Sequence, residues 1–429
     1  MHKLRISERM PELQLANLDR MPMSVADATG QLAEPARVPS DHSLALHSEI
    51  MRFVGFMDGE VSKNRARSED AVRLLKELAR EVNAELEVEV FGSYLTNLQI
   101  TSSDIDVVVI LHHPDTPAAR SLASSVTTSL SRGDSAAPSQ NIGVLVQRLQ
   151  EIIHAMAARL QTQGSLFDVL KVLESASVPV IKVMYRGSGD GAAALPSLPI
   201  DVTFAVEFDR VDSRSLHPRW RAMHIERPLV VVRKVANDIP LVGAHNGISS
   251  SYVVSTYLGE YQALRPLTML LKEYLSQRGL NNPYMGGMSS YCLICLVVAF
   301  LKLYVPSKRS AMPQKDARRD ASDTLAAPAA NLGALLLDFF WFFGIAFNFQ
   351  TTGISLMDGY FFPVEASVER VGLVMLDPMN ANHNVGRNVY QIAQVKEAFK
   401  YAWTQLTYQV CSLDSILFTP EGKLPPWRQ

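Results

Sequence analysis

Four residues in one short segment have types and spacing suited to phosphate chemistry. Residues 88–111 read VEVFGSYLTNLQITSSDIDVVVIL: an alternating strand ends in Gly92-Ser93, a turn follows, and the next strand opens with Asp104-Ile105-Asp106. Residues two apart on a strand share a face, so the two carboxylates point the same way about 7 Å apart. Carboxylates so placed repel each other unless a divalent cation lies between them, and hard oxygen ligands suit magnesium or manganese. Gly92 lets the backbone pass close to a ligand, and Ser93 with the amides after it can donate to phosphate oxygens. A D-x-D alone arises by chance in a chain of this size. The small pair, the eleven- or twelve-residue gap to Asp104 and the apolar run after Asp106 carry the argument together.

A third carboxylate is expected on a neighbouring strand. Asp201, in PIDVTF, has apolar neighbours on both sides, which is costly for a carboxylate unless it is paired or bound to metal. Three acids can hold two ions, one activating an attacking hydroxyl and the other neutralising a nucleoside triphosphate.

The elements that must position these acids follow from hydrophobic periodicity. Residues 1–42 are polar and proline-punctuated and read as a flexible N-terminal arm. A helix over 43–66, with Leu46, Ile50, Phe53 and Val54 on its apolar face, is expected to pack on the second domain. The catalytic domain is expected over 67–245. It has a helix from Ser68 to Asn83, strands Leu86 to Phe91 and Ile105 to Leu111, a helix from Val144 to Leu160, and strands Val178 to Tyr185 and Pro199 to Phe208. Insertions are expected at about 112–142 and 208–244. The glycine-rich 187–197 lacks the Lys-Ser/Thr pair and the helix of a phosphate loop, so it reads as a flexible hairpin. From 246 to 429 the chain reads as almost entirely helical, broken by a loop over 306–330, with the aromatics of DFFWFFGIAFNF in its core. The fold class is therefore α+β: a mixed-sheet catalytic domain followed by a helical one.

Composition limits the partners. The 429 residues carry 41 Lys plus Arg against 43 Asp plus Glu, a net charge of −2, which argues against gripping nucleic acid by bulk electrostatics. Three cysteines exclude a disulfide scaffold, and Cys292 and Cys295, inside an apolar run, read as buried thiols rather than zinc ligands. No membrane span is expected, because Tyr291 to Val305 is short and carries Lys302, and Leu332 to Phe349 carries Asp338. The N-terminal sequence has no apolar run of a signal peptide, so the chain reads as soluble and intracellular. Lys308-Arg309 with Lys315, Arg318 and Arg319 is a weak nuclear signal.

The order G-S, D-h-D and a lone h-D-h strand resembles the DNA polymerase beta nucleotidyltransferase superfamily. LHSEIMRFVGFM (46–57), RPLTMLLKEYLSQRGLNNPYMGGMSSYCLICLVVAFL (265–301), FNFQTTGISLMDG (347–359) and LDPMNANHNVGRNVYQIAQVKEAFKYA (376–402) resemble blocks of the Cid-like terminal nucleotidyltransferases, most of all the nuclear poly(A) polymerases of the TRAMP type. The resemblance implies a pol beta-like catalytic domain, a poly(A) polymerase-associated helical domain, and AMP addition from ATP to RNA 3′ ends in RNA surveillance or processing. It implies that Asp104, Asp106 and Asp201 hold two Mg2+ or Mn2+ ions, with Asp201 helping to deprotonate the 3′ hydroxyl. Gly92 and Ser93 would meet the triphosphate, Lys272 and Ser290 would join them, Tyr291 would stack on the base, and Ser250 would contact the ribose. It also implies zinc-knuckle-type RNA-binding and helicase partners, a nuclear location and no membrane. Uridylyltransferases of this family tend to carry a second lysine where Ser276 stands and an acid where Asn380 stands, which favours adenine here. His383 falls where they carry a base-selecting histidine, so a UTP-using enzyme is the close alternative. A silent scaffold of the same fold is the alternative of another class, and the presence of all three carboxylates argues against it.

Overall fold

In a computed structural model, the structure describes residues 21–30, 39–113, 140–187, 196–208, 229–235, 239–311, 331–365, 372–409 apart from 382, 412–418, 425 and 427. Two compact units are present. Residues 57–256 form one; residues 1–56 and 257–429 form the other. The division expected at 245/246 thus compares with one at 256/257, inside a helix.

The contiguous unit is built on a seven-stranded mixed sheet. The helix α1 (Val25–Ala28) and most of α2 (Ser40–Lys63) precede it, and α3 (Arg65–Val82) leads into β1 (Leu86–Phe91). After the one-turn α4 (Gly92–Thr96) come β2 (Ile105–His113), α5 (Gln140–Thr162), β3 (Phe167–Leu173), β4 (Val180–Tyr185) and β5 (Leu198–Phe208). The order is β1-β2-β5-β4-β3, with β6 (Leu229–Val235) paired to β5 and β7 (Ile239–His245) to β6. β2 and β5 run parallel at the centre, and the other pairs are antiparallel. A continuous apolar run marks a strand covered on both faces. Accordingly Val107, Val109 and Leu111 enter the main core with α3 and α5, while Val108 and Ile110 join Ala205 and Leu229 on the opposite face.

Two departures from the sequence reading fall here. β3 was passed over; it is an edge strand with a register shift between Val169 and Lys171 and Leu170 turned to solvent, which blurs the alternation. The stretch expected as an insertion over 208–244 contains the β6–β7 hairpin, whose LVVVRKV and IPLVGAH runs are apolar enough to have been read as strands. The pairing of β4 with β5 closes the expected hairpin, although 188–195 lie outside the described residues, as does most of the 112–142 insertion.

The second unit is helical with a small sheet. α6 (Gly247–Glu260), which contains the unit boundary, is followed by α7 (Leu264–Ser276), α8 (Ser290–Ala299), α9 (Leu332–Trp341) and α10 (Ile392–Thr404). Strands β8 (Thr352–Ser355), β9 (Tyr360–Pro363) and β10 (Met375–Leu376) form a three-stranded sheet, so the second half is less purely helical than expected. These strands have two to four residues, too few for an alternation to show. The residues described at the N terminus also differ from a flexible arm: the Met23 amide donates to the Phe361 carbonyl at 2.7 Å, and Ala28 is buried. Phe339, Phe340, Phe342, Phe343 and Phe347 are fully buried, as expected.

α8 continues through a π-helical turn (Phe300–Tyr304) into Val305–Ala311, so Pro306 does not end it and the expected loop begins later. Proline is tolerated in the first turn of a helical segment, where its missing N–H costs least. The resulting helix, Ser290–Lys308, is 19 residues long and apolar enough to cross a membrane by length and composition, longer than the 15 residues expected of this run. Most of its apolar window, 72%, is buried within the protein, the mark of a core helix hydrophobic on all sides.

Candidate active site

The contiguous unit gathers its carboxylates by strand register. β2 and β5 pair in parallel with Asp106 opposite Asp201, and Phe91, the last residue of β1, stands opposite Asp106 on the other side. Asp104 directly precedes β2 and is close enough to raise the Asp201 pKa by like charge. Burial is the largest cause of that upward shift; Lys182, the facing residue on β4, opposes it through an ion pair with Asp201 Oδ2 at 2.5 Å.

Gly92 has φ +68°, the left-handed region that glycine enters without strain. A β-carbon there would overlap the Asp106 carboxylate, so the turn passes directly against a metal-ligand candidate. The Gly92 amide donates to Ser251 Oγ at 2.8 Å, and that hydroxyl donates to the Gly247 carbonyl at 2.8 Å. Ser250, expected at the ribose, also donates to the Gly247 carbonyl, at 3.0 Å. Gly247 is itself pressed against the Phe91 and His245 rings, where a β-carbon would meet both. His245 Nε2 lies 3.0 Å from Thr203 Oγ1, whose hydroxyl donates to the Val107 carbonyl, so the imidazole N–H is on Nε2. Burial pulls its pKa down to about 4. Ser93 is the second residue of α4.

In the helical unit, a second group centres on Asp377, which is 1% exposed. Its Oδ1 accepts the Tyr291 hydroxyl at 3.2 Å and the Met379 amide at 2.9 Å, and its Oδ2 lies 3.0 Å from His383 Nδ1. The backbone closes the same loop: Asp377 N–H donates to the His383 carbonyl, His383 N–H to the Asn380 carbonyl, and Asn380 N–H to the Asp377 carbonyl. Burial and then the Asp377 charge push the Tyr291 pKa well up, so its hydroxyl stays a donor. Lys272 is buried on α7, while Ser290 is exposed at the first position of α8, after the capping Ser289. Cys292 and Cys295 are buried free thiols, with Cys292 pushed up to about 12 by burial, inert as expected.

Thus Gly92, Asp104, Asp106 and Asp201 come together in one unit, and Tyr291, Asn380 and His383 in the other. Sequence reasoning missed Lys182, Ser251 and the binding role of Asp377 within its loop. A lysine amid the apolar VPVIKVMY strand was the available signal for the first; nothing in ISSSY separates Ser251 from its neighbours.

Residues 46–204 match the model of the central palm domain of mitochondrial-like poly(A) RNA polymerases, and residues 331–383 match that of the Cid1-family poly(A) polymerase-associated domain. In these two segments the chain is similar to the poly(A) RNA polymerase and Cid1 families. Among its relatives, Poly(A) RNA polymerase protein 1 of Saccharomyces cerevisiae is 25% identical over 381 residues, 87% of this chain and 45% of its own length. The chain spans about half the length of the curated relatives it matches first. Its fold matches that of the polymerase core of TRAMP, an RNA surveillance complex, with a TM-score of 0.56, 22% identity and coverage of 88% of this chain and 90% of that one. A cytoplasmic RNA terminal U-transferase matches with a TM-score of 0.54, 19% identity and coverage of 88% and 99%. At these identities the likeness to the two structures is one of fold.

The donor set, three carboxylates, fits a divalent ion with hard oxygen ligands. Asp106 and Asp201 face each other with Asp104 beside them, and a cation, the Lys182 ammonium, already stands against Asp201. Glu87, His112 and Glu207, at the far end of β1, β2 and β5, also lie within ligand distance of one another, but both His112 ring nitrogens are taken by the two carboxylates.

Proposed function

We propose that this chain is a template-independent RNA 3′-terminal nucleotidyltransferase that adds AMP from ATP. The observation that carries the reading is the register of Asp106 against Asp201, with Asp104 beside them. Magnesium or manganese bound there would polarise the 3′ hydroxyl and neutralise the triphosphate. The protein's own contribution is positional. Asp106 and Asp201 are fixed by a buried parallel strand pair, and the Gly92 turn is held against them by Ser251. Asp201 is assigned to take the proton of the attacking hydroxyl. The new bond joins the 3′ oxygen to the α-phosphorus, the α–β anhydride breaks, and pyrophosphate leaves. Ser93, Lys272 and Ser290 are assigned to the triphosphate, Tyr291 to stacking on the base, and Ser250 to the ribose.

Base choice rests on the Asp377 loop. Asp377 anchors the His383 ring through Nδ1, which leaves Nε2 for the base. The 6-amino group of adenine and the N3–H of uracil would both suit an acceptor there, so His383 alone does not exclude ATP. Ser276 and Asn380, in place of the lysine and acid expected of uridylyltransferases, favour ATP. The second reading, UTP as substrate, is favoured by His383 itself. Purified protein given RNA, magnesium and each nucleotide separately decides between them, and dominant UTP incorporation would overturn the first reading. Full activity in an Asp104→Ala, Asp106→Ala double variant would overturn the metal-site argument as a whole.

With a net charge of −2, the chain is expected to hold RNA weakly and in a salt-sensitive way. RNA-binding and helicase partners of the TRAMP type would supply affinity, and the RNA-surveillance setting implies a nuclear location.

A further inference from the structure

One row of facing residues crosses four strands: Lys182 on β4, Asp201 on β5, Asp106 on β2 and Phe91 on β1. Directly opposed residues share a sheet face, so register, rather than a loop, delivers the lysine to the carboxylates. The Lys182 ammonium lies 2.5 Å from Asp201 Oδ2, with the two side chains only 32% and 22% exposed. Asp104 adds like charge at the same carboxylate.

We propose that Lys182 is a tethered counter-ion: it neutralises Asp201 when no divalent ion is bound, and it competes with the ion for Asp201 Oδ2. The proposal rests on the reading of these carboxylates as metal ligands. Bare, half-buried aspartates in one row would repel each other and strain the folded sheet. An ammonium on a flexible four-carbon stem relieves that repulsion and can also retract. The price is affinity: a positive charge beside the site weakens its hold on any free divalent ion. Loading is then strongest when the ion arrives on a nucleotide, whose phosphate oxygens complete the coordination.

The test needs no turnover. Mn2+ is titrated into wild type, Lys182→Met and Lys182→Arg proteins without nucleotide, followed by the EPR signal of the free ion. Melting temperatures are recorded metal-free. The proposal expects Lys182→Met to bind Mn2+ at least roughly fivefold more tightly and to melt lower when metal-free, and Lys182→Arg to stay within about twofold of wild type in Mn2+ affinity. Lys182→Gln replaces the Met variant if that variant does not fold by circular dichroism. If Lys182 is only a buttress for Asp201, removing it weakens Mn2+ binding. A weakened or unchanged affinity in the neutral variant, with wild-type binding intact, overturns the proposal alone. Wild-type and Lys182→Met proteins that both bind no Mn2+ overturn the metal reading, and the proposal with it.

Discussion

Gly92 and Asp106 lie so close that a β-carbon on Gly92 would overlap the Asp106 carboxylate. The catalytic turn is therefore fitted to its neighbouring strand at the level of a single methyl group. Gly92→Ala is expected to displace Asp106 and to force a positive φ on alanine, a strain of about 1–3 kcal/mol. Activity in a primer-extension assay should fall roughly 100-fold or more, while circular dichroism shows a folded protein with a lower Tm. Near wild-type extension would show that the turn does not position the carboxylate.

Ser251 holds the same turn from the other side. In Ser251→Ala the Gly92 N–H loses its acceptor, and an unsatisfied buried donor costs about 1–3 kcal/mol. Faster hydrogen exchange at the Gly92 amide and a rise in nucleotide KM are expected. A lower Tm with unchanged KM would mark the serine as a stabilising contact only.

His245 makes acid stability a readout of the contiguous unit. Its folded pKa is pushed down to about 4 from 6.5, so between those values the unfolded chain binds a proton that the folded chain does not. Stability is fully present above 6.5 and is lost as pH falls towards 4, by up to about 3 kcal/mol. Chemical-denaturation midpoints recorded from pH 7 to 4 should fall less steeply in His245→Phe, which keeps an aromatic ring against Phe91. Parallel curves for the two proteins would exclude the imidazole as the cause.

His383→Asn separates the two nucleotide readings. The amide removes the ring anchored on Asp377 and leaves more room for a purine. The ratio of ATP to UTP incorporation is expected to rise several-fold, up to about tenfold, corresponding to roughly 1.4 kcal/mol. An unchanged ratio would remove His383 from the base-selecting group.

The acids were legible in the sequence because their chemistry conflicts with their surroundings. Asp106 and Asp201 each interrupt an apolar strand, and such a conflict marks a site. Lys182 shows the same conflict but needed strand register to gain a meaning, since nothing in the sequence says that β4 faces β5 with Lys182 opposite Asp201. Ser251 was not legible at all: a serine among serines on a helix acquires its role only when Gly92 comes within hydrogen-bond reach. The β6–β7 hairpin and the three short strands were missed for a different reason. The apolar runs of β6 and β7 lie inside a stretch read as an insertion, and strands of two to four residues are too short for an alternation to show.

The discontinuous unit also sets an order of assembly on the ribosome. Glu49 accepts the Leu413 amide at 2.7 Å across 364 residues of chain, and Phe53 packs edge-on against Trp427. Residues 57–256 emerge as one uninterrupted piece and can complete their sheet early. Leu46, Ile50 and Phe53, fully buried at the end, must wait for partners translated last. At about 5–20 residues per second, the 364-residue separation keeps that apolar helix face waiting for roughly 20 to 70 s. The nascent protein is thus a natural client for chaperones that shield a single amphipathic helix near the N terminus.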